Sequence, residues 1–207
     1  MTFAVGIFDL FSFAVPGAVQ LSLLVYVLDR LGILHVAALT SAPGALLVAG
    51  AVVASYLLGH LFHPLAALLE RVRPRRDAEE ARQEFVAQVP QARDRAYVQA
   101  NPALLVAAAE LHDKDAAGEI LRMRAQSVML RNIAFAFTLA AVVALVQTAT
   151  GPHRMVAAGA AALAVLGAAG ALGSGRKVWH MSRMKTLEIC YWIPDIDQTF
   201  AEAPATG

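Results

Sequence analysis

Apolar positions run along this chain in four stretches long enough to cross a bilayer, and the charged positions gather almost entirely in two blocks between and after them. The cleanest apolar stretch, Ala42 to Phe62, has 21 residues without a formal charge. At a rise of 1.5 Å per residue, such a helix covers a hydrocarbon core of about 30 Å. An earlier stretch extends from Val5 to Leu28, with Pro16-Gly17 inside it; proline removes a helical hydrogen bond, so a kink is expected there. An interfacial helix over residues 3–13 followed by a shorter span is the alternative. The third stretch is Val128 to Ala149 and the fourth Met155 to Gly173. Between them, Gly151-Pro152-His153-Arg154 is too short for anything but a tight reversal. The pattern predicts an all-α integral membrane protein with four transmembrane helices, paired as residues 1–63 and 128–175.

The first charged block, residues 64–127, is rich in Ala, Glu, Arg and Gln, with breakers at Pro64, Pro74, Pro90 and Pro102. It predicts helices near 65–89, 91–100 and 102–127 that form a cytoplasmic hairpin, the last running unbroken into the third span. The second block, residues 176–207, begins RKVWHMSRMK. Val178, Met181, Met184, Leu187 and Tyr191 recur at three- and four-residue intervals, the signature of an amphipathic C-terminal helix. Trp179 and Trp192 suit an interfacial or docking anchor.

Charge placement orients the spans. With both termini inside, 15 of the 17 basic residues fall on one side and Arg30 and Arg154 on the other, so the positive-inside rule places both termini in the cytoplasm. The 14 arginines against 3 lysines and the abundant alanine fit a GC-rich bacterial source, hence a bacterial inner membrane. The first span lacks a basic leader and a small-residue cleavage site, and it is expected to be retained. Ala160, Ala164 and Ala168, with Gly167, Ala171 and Gly175, form small-residue rows along the fourth span. Such rows let helices approach closely, within one chain or between subunits, and a homo-oligomer is expected.

Candidate chemistry lies in three places. On the first span, Asp9, Ser12, Pro16 and Gln20 share an arc of about 80°, a polar stripe that could line a pore. Asp9 could equally lie at the headgroups beside a helix N-terminus. On the second span, Tyr56, His60, His63 and Glu70 share one face if the helix continues through Pro64. Three readings stand there: an interfacial hydrogen-bonding cluster, a proton- or ligand-sensing gate, or a metal or catalytic site. The His60/His63 spacing suits a metal, with Glu110, His112 and Asp113 as further candidate ligands on another segment. Third, Arg71, Arg73, Arg75 and Arg76, together with Arg122, Arg124 and Arg131, suit anionic lipid headgroups or an anionic ligand. Phosphate-loop, dinucleotide, serine-hydrolase and HExxH patterns are absent, and the sequence names no cofactor. Nothing in it speaks for nucleic acid. Cys190 is the one cysteine, which excludes an intrachain disulfide and a thiolate cluster.

With FAVPG at 13–17 and YLLGH at 56–60, the four-span layout resembles small bacterial membrane proteins of poorly characterised families, some of them membrane components of anti-phage defence systems. The resemblance implies a protein that senses infection or permeabilises the membrane. The sequence expectation is therefore a non-enzymatic membrane sensor or effector, a gated oligomeric pore coupled to a cytoplasmic protein or anionic ligand. A membrane anchor for a partner protein is one alternative, and a membrane-embedded metal enzyme using His60 and His63 is the other.

Overall fold

The computed structural model describes residues 2–34, 43–71 and 77–201. Among these residues the chain is all-helical: α1 (Thr2–Arg30), α2 (Gly44–Arg71), α3 (Asp77–Gln88), a 3-10 turn (Pro90–Ala92), α4 (Ala96–Gln99), α5 (Pro102–His112), α6 (Lys114–Thr150), α7 (Arg154–Tyr191) and α8 (Ile196–Ala201). Among the described residues four helices, α1, α2, α6 and α7, are long and apolar enough to cross a membrane. Both α1 and α2 continue through their internal prolines, Pro16 and Pro64.

Several boundaries differ from the sequence expectation: residues 65–71 continue α2 instead of opening a helix over 65–89, and the helix expected near 91–100 is the 3-10 turn followed by the short α4. The helix expected to run unbroken from residue 102 into the third span is interrupted at Asp113, which is extended at φ −144° and ψ 107°. Its Oδ1 accepts the amides of Asp115 and Ala116 at 2.9 and 3.2 Å, so this side chain restarts the helix as an N-cap. At the other end, the amphipathic C-terminal segment is no separate helix, since α7 carries the fourth apolar stretch through Gly173 to Tyr191 without a break. Glycine inside a helix costs about 0.5–1 kcal/mol relative to alanine; at Gly175 packing on Leu130 and the Ser127 hydroxyl, which donates to Gly175 O at 2.9 Å, hold α7 in place.

The chain divides into two units, Met1–Arg73 with Ala125–Gly175, and Pro74–Arg124 with Arg176–Gly207. In the first, contacts fix an alternating order of helix directions. Gly17 of α1 meets Ser55 and Gly59 of α2, running antiparallel. Phe62 of α2 stacks on Phe135 of α6 at 5.9 Å, and Gly175 and Gly167 of α7 lie on Leu130 and Phe137 of α6. Ala161, Ala164, Ala168 and Ala171 turn inward on α7, whereas Ala160 stays exposed. At the end of α1, Gly32 takes φ +70°. That left-handed turn lets the Ile33 amide reach Leu28 O and the Gly32 amide reach Asp29 O, both at 3.0 Å, satisfying carbonyls that the helix end leaves open.

The second unit has its own core of Phe85, Tyr97, Val98, Leu105, Leu187, Cys190 and Ile196. Cys190 is completely buried and its Sγ donates to Leu105 O at 3.5 Å. Arg95 pairs with Asp197 at 3.1 Å and His180 with Glu84 at 2.7 Å. Tyr97 is also fully buried, and its hydroxyl has no hydrogen-bond partner among the described residues. Burial pushes this phenol above its ordinary range, against the opposing pull of the Arg95 cation. Tyr97→Phe should therefore raise stability by about 1 kcal/mol, since an unsatisfied buried hydroxyl is removed without loss of a bond. The unfolded chain gives up the phenolic proton near pH 10 while the folded chain keeps it, so wild-type stability falls as pH rises above about 10. The variant should lose that part of the slope in thermal unfolding scans from pH 8 to 11. A destabilised variant would mean that the hydroxyl is bonded.

Candidate functional site

The site lies in the first unit, where one turn of α1 crosses α2. A Cβ added to Gly17 would run into Ser55 O and lie 2.6 Å from Ser55 C and 2.9 Å from Gly59 N; one added to Gly59 would meet Phe13 O and lie 2.8 Å from Phe13 C. Backbone therefore lies against backbone, and only glycine fits on either side. The two short motifs FAVPG and YLLGH are the two halves of this crossing. Pro16 is buried in it, and Ser55 is 5% exposed.

This close approach gathers an aromatic and polar cluster. The Phe13 ring lies 4.0 Å from the His60 ring, 5.4 Å from His63 and 6.3 Å from Tyr56. His63 then connects α2 to α6: its Nδ1 is 3.3 Å from Asn132 Oδ1, and Arg131 Nη2 is 3.2 Å from its Nε2 and 3.4 Å from its Nδ1. A neutral imidazole serves both neighbours, donating from Nδ1 to the amide oxygen and accepting at Nε2 from the guanidinium. Asn132 is 1% exposed, and its Nδ2 finds no partner among the described residues. On α1, Ser12 Oγ donates to Ala125 O of α6 at 3.3 Å. Two turns on, Gln20 is 3% exposed with Oε1 unpartnered among the described residues.

Of the sequence candidates, Ser12 and Gln20 thus lie inside the helix packing of their own chain, while Asp9 is in α1 with its side chain outside the described residues. Tyr56 and His63 are half-buried and His60 is exposed. The Glu70 and Arg71 side chains, and Arg73, Arg75 and Arg76, also lie outside the described residues. Arg131 is engaged with His63, whereas Arg122 and Arg124 belong to the other unit. There the guanidinium groups of Arg124 and Arg183 lie 5.8 and 5.3 Å from the Trp179 ring centroid, so this tryptophan is partly covered by cations. Trp192 remains 73% exposed. Glu110, His112 and Asp113 fall in the second unit as well, and among the described residues no three His, Cys, Asp or Glu side chains converge.

Sequence reasoning misses Phe13, Gly17, Gly59 and Asn132 as members of one site. The signal that could have found them is the pair of glycines, each one residue from a motif aromatic or proline and each lying within an apolar run. Comparison of the chain with protein-family models, with curated proteins and with solved structures finds no match.

Proposed function

We propose that this protein is a non-enzymatic sensor or effector of a bacterial inner membrane, with both termini cytoplasmic, assembling as a homo-oligomer and controlling a conductance. In this reading, the polar groups buried among the long apolar helices form the seal of a closed state. The observation that carries it is a pair of buried amide atoms without a partner among the described residues, Gln20 Oε1 and Asn132 Nδ2. Each buried polar atom left unpaired costs about 1–3 kcal/mol, a penalty relieved in a conformation that lets water reach it. The His63–Arg131 contact between α2 and α6 adds a half-buried polar joint next to Asn132, and ionisable groups within apolar membrane helices are functional candidates by default. Because α6 and α7 contribute residues to both units, a ligand or protein met in the cytoplasm has a continuous helical path to the seal. The resemblance of FAVPG, YLLGH and the four-span order to small bacterial membrane proteins, some of them in anti-phage defence systems, is what suggests that setting.

Ion flux in proteoliposomes tests this. Wild-type protein should leak above empty liposomes, and Gln20→Leu, which removes one unpaired amide from the closed state, should lower the leak about tenfold. A second reading, an anchor for a partner protein, is favoured by the exposure of Leu111 and Trp192, 89% and 73%, on the second unit. It predicts no flux above empty liposomes from either protein, and that outcome would displace the conductance.

A further inference from the structure

A groove of about 400 Å³ runs between α1, α6 and α7 of the first unit, at the end that holds the α6–α7 turn. Ala140 and Ala144 of α6, Ala157, Ala160 and Ala164 of α7 and Leu23 of α1 line it. These side chains are too short to meet across the space, so the three helices leave a greasy channel where larger residues would have closed it. Its volume lies within the range of about 300–1,000 Å³ usual for small-molecule sites.

The lining changes character at one end. Tyr26, Arg30, Gln147 and His153 stand there, and the Arg30 guanidinium lies 5.8 Å from the Tyr26 ring centroid. Arg30 is the formal cation among the lining residues, and neither Asp nor Glu is among them. An apolar trough ending in a guanidinium, a phenol, an amide and an imidazole matches a molecule with a long hydrocarbon chain and an anionic head. From Phe13 to Arg30, 17 residues of helix α1 place this mouth about 25 Å along the helix from the His63 cluster. The groove is therefore separate from the site described above.

We propose that the groove binds one anionic phospholipid, with an acyl chain along the alanines and the phosphate at Arg30. The inference rests on the reading of α1, α6 and α7 as membrane spans but not on conductance. A guanidinium binds a phosphate through charge-assisted hydrogen bonds that a zwitterionic headgroup, carrying its own cation, shares less freely.

Native mass spectrometry of the full-length protein in mild detergent supplies the test, with phosphatidylglycerol and phosphatidylcholine of identical chains added in turn. One phosphatidylglycerol should be retained per chain, about tenfold more strongly than phosphatidylcholine. Arg30→Gln, a change at an exposed position, should reduce phosphatidylglycerol to the phosphatidylcholine level. Ala160→Phe, which fills the groove from another exposed position, should abolish retention of both. Equal retention of the two lipids by wild type, or retention unchanged in both variants, overturns the proposal. So does a dimer that Ala160→Phe dissociates, which would assign the groove to a second copy of the chain. Release of the protein from membranes by alkaline carbonate would overturn the membrane reading itself, whereas absent flux with intact lipid selectivity would overturn only the conductance.

Discussion

Gly59→Ala should cost about 3 kcal/mol of stability, the upper end of what overpacking a close contact usually costs. The new methyl group would meet Phe13 O and lie 2.8 Å from Phe13 C. These are backbone atoms, so no rotamer change relieves the clash and α1 and α2 must separate. Separation also pulls Phe13 from the His60 ring, 4.0 Å away. Gly17→Ala strikes the same crossing from the other helix. The double variant should cost clearly less than the sum of the two, because helices already forced apart by one methyl group accommodate the second. Gly50→Ala is the matched control on α2: a Cβ there meets nothing within 4 Å, and alanine in a helix is favoured over glycine by about 1 kcal/mol. Thermal unfolding in mild detergent, with gel filtration to score monodisperse protein, separates these cases. Equal losses from Gly50→Ala and Gly59→Ala would show that the crossing is not the cause.

His63→Leu should destabilise the first unit by about 2–3 kcal/mol, the range for a hydrogen bond to a charged group. The substitution removes the imidazole 3.2 Å from Arg131 Nη2 and 3.3 Å from Asn132 Oδ1. A buried amide that already lacks a partner at Nδ2 would then lose its partner at Oδ1 as well. Asn132→Leu alone should cost much less, because it gives up one bond and removes one unsatisfied donor. In the Asn132→Leu background, His63→Leu should be about 1 kcal/mol milder, the coupling expected of side chains in direct contact. Thermal unfolding of the four proteins closes the cycle. Additivity to within about 0.5 kcal/mol would mean that His63 and Asn132 act independently.

Both predictions depend on pairings that no single segment encodes. Gly17 and Gly59 are each unremarkable in an apolar run, and small residues in the fourth span form a longer and more regular row. Yet Ala160 of that row is exposed and lines a groove, while the two isolated glycines make a contact that no other residue fits. Spacing records which residues share a helix face. It does not record which face of another helix comes against it, and that choice is made by shape complementarity along the whole length of both helices. The same holds for Arg131. In sequence it belongs with Arg122 and Arg124 as one cationic patch, whereas in the fold it is engaged by an imidazole 68 residues away in the chain. Asp113 shows the limit at shorter range. Ala, Glu, Leu and Lys around it are all helix formers, and a single side chain that accepts two amides 2.9 and 3.2 Å away suffices to restart the helix.

The all-helical class of the described residues, and the four helices among them long and apolar enough to cross a membrane, were legible in the sequence because length and uncharged composition are properties of one segment at a time. That FAVPG meets YLLGH, and that His63 bridges to Arg131 and Asn132, emerges only from helix packing. Packing likewise leaves the groove between the alanines of α6 and α7 with Arg30 at its mouth. Each of these depends on how two or three helices set their distance and rotation against one another, and those are set by close packing between side chains far apart in the chain.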